Sequence, residues 1–142
     1  MVDTGIKVGD CMKTKIITVK ADSTAVEAAK KIKEFNVGSL LVEKNGVIQG
    51  IITEKDLVVK SLSTGDLNMK VNDFMSTNLI QIQDDADLSE AAKIMGEHKI
   101  KRLVVTHAGK IVGIISQKDI ISISPSLYDL ISQNWKSGFK TF

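Results

Sequence analysis

The sequence predicts an α+β chain built from one βαββα unit used twice. Three observations predict it. The stretch Gly50-Ile51-Ile52-Thr53-Glu54-Lys55-Asp56 recurs as Gly113-Ile114-Ile115-Ser116-Gln117-Lys118-Asp119, an offset of 113 − 50 = 63 residues. The same offset, without a gap, lays 8–59 over 71–122, with Met12 on Met75, Asp22 on Asp85, Glu27-Ala28-Ala29-Lys30 on Glu90-Ala91-Ala92-Lys93 and Leu40 on Leu103. An unbroken register of that length is a duplicated unit. Within each copy, a segment of helical period precedes two β-rich runs that flank a tight-turn pair. One three-stranded sheet cannot cover both its faces alone, so the expectation is two repeats packed pseudo-symmetrically through their sheets.

The elements follow in order. Residues 1–7 read as a leader, 8–62 as the first repeat, 63–70 as a connector, 71–124 as the second repeat and 125–142 as an aromatic-rich helix or tail. Val8 to Met12 suits a turn or short helix, and Ile16 to Val19 a first strand. Thr24 is placed to cap a helix, with Glu27 as its capping-box partner. Ala25, Ala28, Ala29, Ile32 and Phe35 then share one helical face, and Asn36 is the stop. Leu40 to Val42 and Val47 to Ile52 form a hairpin about Asn45-Gly46, both of which tolerate positive φ. Thr53 caps a second helix running to about Leu62. In the second repeat Asp87 and Glu90 take the places of Thr24 and Glu27. Leu103 to Thr106 and Lys110 to Ile115 flank Ala108-Gly109, and Ser116 caps the last helix. His98 takes the position of Phe35 and is expected to be packed or half-buried. In the tail, Leu127, Leu130 and Ile131 suggest an amphipathic helix. Tyr128, Trp135 and Phe139 should be partly buried, against their own chain or a dimer mate.

Composition narrows the function. Apolar residues are 43% of 142, enough for a core, and 19 basic against 17 acidic residues leave +2 with pI ≈ 8.6. That balance is less basic than a nucleic-acid binder needs. No apolar run approaches the roughly 20 residues of a membrane span. The single cysteine, Cys11, excludes an internal disulfide framework and lacks a basic neighbour in sequence, so it reads as structural. A cytoplasmic protein is expected. No cysteine or histidine cluster has zinc spacing, and no nucleophile–base pair stands out.

The duplicated unit and its two endings, Gly-h-h-(Thr/Ser)-x-x-Asp with h apolar, resemble a tandem pair of CBS domains, also called a Bateman module. The resemblance covers about 8–122 and suggests a stand-alone module. It implies two repeats that form two clefts and bind adenosine-containing ligands: AMP, ADP, ATP and sometimes S-adenosylmethionine. It also implies regulation rather than catalysis, and disc-like homodimers.

The candidate site residues follow from both sources. Thr53-x-x-Asp56 and Ser116-x-x-Asp119 have the spacing of a helix cap. A carboxylate so held can also accept both hydroxyls of a ribose, while the hydroxyl residue and the helix amides can meet a phosphate. By resemblance, Asp56 and Asp119 take the ribose, with Thr53 and Ser116 near phosphate. Ile100-Lys101-Arg102 resembles the basic pair that the gamma subunit of AMP-activated protein kinase places against phosphates. A solvated basic edge is the other reading. The first repeat carries Gly38-Ser39 there, which let a ligand approach the backbone. Thr14-Lys15 with Ile17, and Thr77-Asn78 with Ile80, flank adenine by the same resemblance. The expected ligand is AMP or ADP before ATP, with no resident cofactor, a homodimer mate and an unidentified protein partner. The alternatives are an interaction module with empty clefts, or an S-adenosylmethionine-type ligand.

Overall fold

The structure, a computed structural model, describes residues 3–132. Two three-stranded sheets are present, ordered β1-β2-β3 and β4-β5-β6. In the first, β1 (Thr18–Lys20) lies parallel to β2 (Ser39–Lys44), which is antiparallel to β3 (Val47–Thr53). Helix α1 (Ala25–Phe35) makes the parallel crossover, as parallel neighbours require. β4 (Gln81–Gln83), β5 (Arg102–His107) and β6 (Lys110–Ser116) repeat the arrangement around α4 (Leu88–His98). Both sheets shift register at equivalent places, Val42/Glu43 and Val105/Thr106. The duplication therefore extends to a shared bulge.

The elements form for local reasons. Thr24 and Glu27 complete a capping box: Glu27 N donates to Thr24 Oγ1 at 3.2 Å and Thr24 N to Glu27 Oε1 at 3.1 Å. These bonds from the Thr24 backbone and hydroxyl hold the Glu27 carboxyl below its ordinary range. Asn36 ends α1 in the left-handed conformation, φ 52°. Both hairpin turns have two positive φ values, 54° and 79° at Asn45-Gly46, 49° and 78° at Ala108-Gly109. That is the turn whose twist matches the strands.

Several expectations need correction. Strand β1 starts at Thr18 rather than Ile16, although the Ile17 carbonyl already accepts from Leu41 N. The helix after Thr53 is α for one turn only, α2 (Glu54–Asp56), and continues as a π-helical stretch over Leu57–Ser61. Its counterpart α5 (Gln117–Ile123) is α throughout. Asp87 caps α4, but Glu90 is not its partner. The carboxylate accepts instead from Ser89 N at 2.8 Å, Gly5 N at 2.9 Å and Thr4 N at 3.1 Å. Desolvation pushes that carboxyl up, but the bonds from Ser89, Thr4 and Gly5 together outweigh it and hold the group well below the usual carboxylate range. His98 is exposed, because α4 ends on it and Lys99 turns left-handed with φ 54°.

The chain divides into two compact units that are cut differently from the sequence repeats. One is Ile16–Leu79; the other joins the residues before it to those from Ile80 onward. The first buries Val19, Ala28, Ile32, Leu40, Val42, Ile52, Val71 and Phe74, the last two from α3 (Val71–Phe74). In the second, Val8 packs with Leu88, Met95, Leu103, Val105, Ile115 and Ile120. Cys11 is buried there too; burial first, then Asp10 and Asp119, push its thiol pKa up, away from reactivity.

Helix α6 (Tyr128–Ser132) also belongs to that unit. Ile131 is fully buried, and α6 crosses α4 at Gly96, where a Cβ would stand 2.8 Å from the Leu130 carbonyl oxygen. Tyr128 is 48% exposed, while Trp135 and Phe139 lie outside the described residues.

Candidate functional site

In the unit that holds Ser116 and Asp119, the end of β6 and the start of α5 form a corner. Arg102 pairs with Ser116 in the β5–β6 register. The Lys101 carbonyl accepts from Gln117 N at 2.8 Å, which fixes the basic pair beside the first turn of α5. Ser116 N donates to Asp119 Oδ2 at 2.9 Å, and Asp119 N to Ser116 Oγ at 3.1 Å. Asp119 Oδ1 faces Lys13 Nζ at 3.6 Å. A cavity of about 450 Å³ opens here, lined by Lys101, Arg102, Ser116, Gln117, Lys118, Ile121 and Ser122. Arg102 is half-buried and Lys101 and Lys118 are exposed, so cationic side chains border a largely solvated hollow. Such a hollow suits an anion more than an uncharged group.

A segment from before the first repeat's own strand completes this side. Lys13 exchanges both backbone hydrogen bonds with Ile114, at 2.8 and 3.0 Å, and Thr14 and Lys15 follow it as exposed residues. The repeated motif's glycine makes the approach possible. At Gly113 a Cβ would lie 2.6 Å from Met12 Sδ and 2.8 Å from the Lys13 carbonyl oxygen.

The other unit has the same frame with different chemistry. Ser39 pairs with Thr53, and the Gly38 carbonyl accepts from Glu54 N at 3.2 Å. Thr53 N donates to Asp56 Oδ2 at 2.9 Å, and Asp56 N to Thr53 Oγ1 at 3.3 Å. Ser76 exchanges backbone bonds with Ile51, both 2.9 Å, and leads into the exposed Thr77 and Asn78. Gly50 admits it, since a Cβ there would lie 2.6 Å from the Ser76 carbonyl oxygen.

The candidate residues therefore divide in a way the repeats do not suggest. Thr14, Lys15, Lys101, Arg102, Ser116 and Asp119 fall in one unit, and Gly38, Ser39, Thr53, Asp56, Thr77 and Asn78 in the other. The unit boundary falls between Thr14 and Ile17, and between Thr77 and Ile80. Ile17, Ile80 and Ile100 are half-buried and pack against the cores. Asp119 is not among the residues lining the cavity. Lys13, Gln117, Lys118 and Lys60 were not singled out from sequence. Within the aligned register the 63-residue offset could have flagged Lys13 and Gln117, since it pairs them with the unlike Ser76 and Glu54; Lys118 falls on an identical Lys55, and Lys60 lies just beyond the register. Among the described residues, no group of three or more His, Cys, Asp or Glu side chains could hold a metal ion, and no helix is long and apolar enough to cross a membrane.

Comparison with known proteins places this geometry among relatives. The family model described as "CBS domain" matches residues 8–63 and 71–126. An uncharacterised protein of Methanopyrus kandleri is 38% identical over 92% of this chain and 69% of its own length. The crystal structure of an uncharacterised conserved protein from Pyrococcus horikoshii superposes with a TM-score of 0.79 at 31% identity, covering 87% of this chain and 95% of that one. The CBS domain pair of protein MJ0100, solved in complex with 5′-methylthioadenosine and S-adenosyl-L-methionine, gives a TM-score of 0.74 at 25% identity over 85% of this chain and 97% of that one.

Proposed function

The chain belongs to the CBS-domain family as a tandem pair of such domains, and from that premise we propose that it is a regulatory sensor of an adenine nucleotide, AMP or ADP before ATP. It is read as a module that binds rather than catalyses. One observation carries the choice of nucleotide. Lys101, Arg102 and Lys118 gather with Ser116 around one cavity, in the same compact unit as the carboxylate of Asp119. Arg meets a phosphate with two parallel hydrogen bonds, and Lys adds a point charge. The carboxylate is assigned to the ribose diol, with Thr14 and Lys15 beside it. Occupancy stabilises the arrangement of the chain that binds better, and a partner protein reads the difference. Homodimerisation and a cytoplasmic location belong to the same proposal.

A second reading, an S-adenosylmethionine-type ligand, is favoured by the likeness to the MJ0100 pair and by the Asp56 side. There Gly38-Ser39 stand in place of Lys101-Arg102, and Glu54 in place of Gln117. Thermal unfolding with AMP, ADP, ATP, adenosine, 5′-methylthioadenosine and S-adenosylmethionine decides between them. A bound ligand at 100 times its Kd adds about 2.7 kcal/mol of stability. Stabilisation by AMP above that by adenosine supports the nucleotide reading. Stabilisation only by the sulfur-containing ligands supports the second. No shift with any of them leaves an interaction module.

A further inference from the structure

The 63-residue offset carries Asp56 onto Asp119, but it does not carry their cations. Lys13, which approaches Asp119, corresponds to Ser76; Lys60, which approaches Asp56, corresponds to Ile123. In both carboxylates Oδ2 is engaged by the helix cap. Each lysine faces Oδ1, the oxygen that the cap leaves over. A ribose diol needs that oxygen, so the cation on it competes with the ligand.

The two lysines are held differently. Lys13 Nζ lies 3.6 Å from Asp119 Oδ1, on a side chain 75% exposed. Lys60 Nζ lies 3.4 Å from Asp56 Oδ1 and also donates to the Phe74 carbonyl oxygen at 3.1 Å. Phe74 is buried in the same unit, which makes its carbonyl a fixed anchor. Lys60 rises from the helical continuation of α2, four residues after Asp56, where the two side chains meet on one face. A ligand hydroxyl must break two interactions to displace this ammonium.

We propose that Lys60 is a specificity-determining residue: its ammonium occupies the Asp56 carboxylate and directs adenosine-type ligands to the Asp119 side. This rests on the reading that the two carboxylates accept ribose hydroxyls. An exposed i,i+4 pair alone changes the competition about twofold. The second bond, to a fixed carbonyl, raises the effect to about five- to tenfold. The repeats thus become unequal at the very position where their sequences are identical.

Adenosine is the probe, because it has the diol and no phosphate for the lysine to attract. The comparison is Asp119→Ala, which leaves Asp56 as the remaining repeat-related carboxylate, against Asp119→Ala with Lys60→Met. Methionine keeps a flexible stem and removes the ammonium. Calorimetry should show adenosine bound about five- to tenfold more tightly by the double variant. A merely structural lysine would not raise affinity when removed. Unchanged or weaker binding overturns the proposal, and weaker binding makes Lys60 a ligand contact instead. The wild-type chain separates the two levels. If it binds neither adenosine nor AMP, the nucleotide reading and this inference fall together. If it binds them and Lys60→Met gives no gain, only this inference falls.

Discussion

The helix cap takes only Oδ2 of Asp119 and leaves Oδ1 to the exposed Lys13, so the cap and the proposed ribose contact do not exclude each other, while the lysine competes for that contact. At this scale the phosphate assignment is the easiest to test. Arg102→Ala should weaken AMP binding by about 1.5–3 kcal/mol, the range for hydrogen bonds to charged groups, and adenosine binding far less. Titration calorimetry with both ligands checks it; equal losses would assign Arg102 to the fold or the base. Asp87 offers a test of stability against pH. Its folded-state pKa is depressed, so its contribution is present above the unfolded value of about 3.9 and is lost as pH falls through the lower folded value. Asp87→Ala should therefore cost about 1–2 kcal/mol at neutral pH, the loss of a helix cap. The gap from wild type should close in strong acid, as followed by circular dichroism under urea.

At the scale of elements, the recurring glycine has a packing reason. Gly50 and Gly113 lie where the segments ending at Ser76 and Lys13 press on β3 and β6. Gly113→Ala sets a Cβ 2.8 Å from the Lys13 carbonyl oxygen; the Met12 thioether can move aside, but a carbonyl bonded to Ile114 cannot. We expect a loss of about 1–3 kcal/mol, the cost of overpacking, from Gly113→Ala and from Gly50→Ala alike. Thermal melts check both, with Gly65→Ala as a comparison that strains a surface turn rather than a packed strand. Elements whose cause is local were legible in the sequence. The Thr24-Glu27 box, the left-handed stop at Asn36 and both hairpins depend on residues a few positions apart. Glu90 was misread because Asp87 is claimed by Thr4 and Gly5, more than eighty residues away, and no local rule sees them. The π-helical stretch over Leu57–Ser61 has no counterpart in α5, and the aligned sequences give no physical reason for it.

At the scale of the whole molecule, the N-terminal segment is numbered with the first repeat and folds with the second. Leu88 N donates to the Ile6 carbonyl at 2.8 Å, Val8 N to Ala86 at 2.9 Å, and Val8 is fully buried. Deleting residues 1–15 should destabilise the unit with β4–β6 by at least about 3 kcal/mol: one buried valine contributes about 1.5–3, and the Asp87 cap loses donors besides. Hydrogen exchange resolved by segment checks it; protection lost first in β1–β3 would overturn it. The sequence by itself determined the duplication, the order of elements, the N-cap residues and the difference in charge between Lys101-Arg102 and Gly38-Ser39. All of these are properties of residue type at fixed spacing. Only the tertiary structure decided which leading segment lies beside which Thr/Ser-x-x-Asp corner. A repeat aligned with itself assigns each segment to its own copy, while the strand edges of β3 and β6 bond to whichever backbone the fold delivers: Ser76 to Ile51, and Lys13 to Ile114.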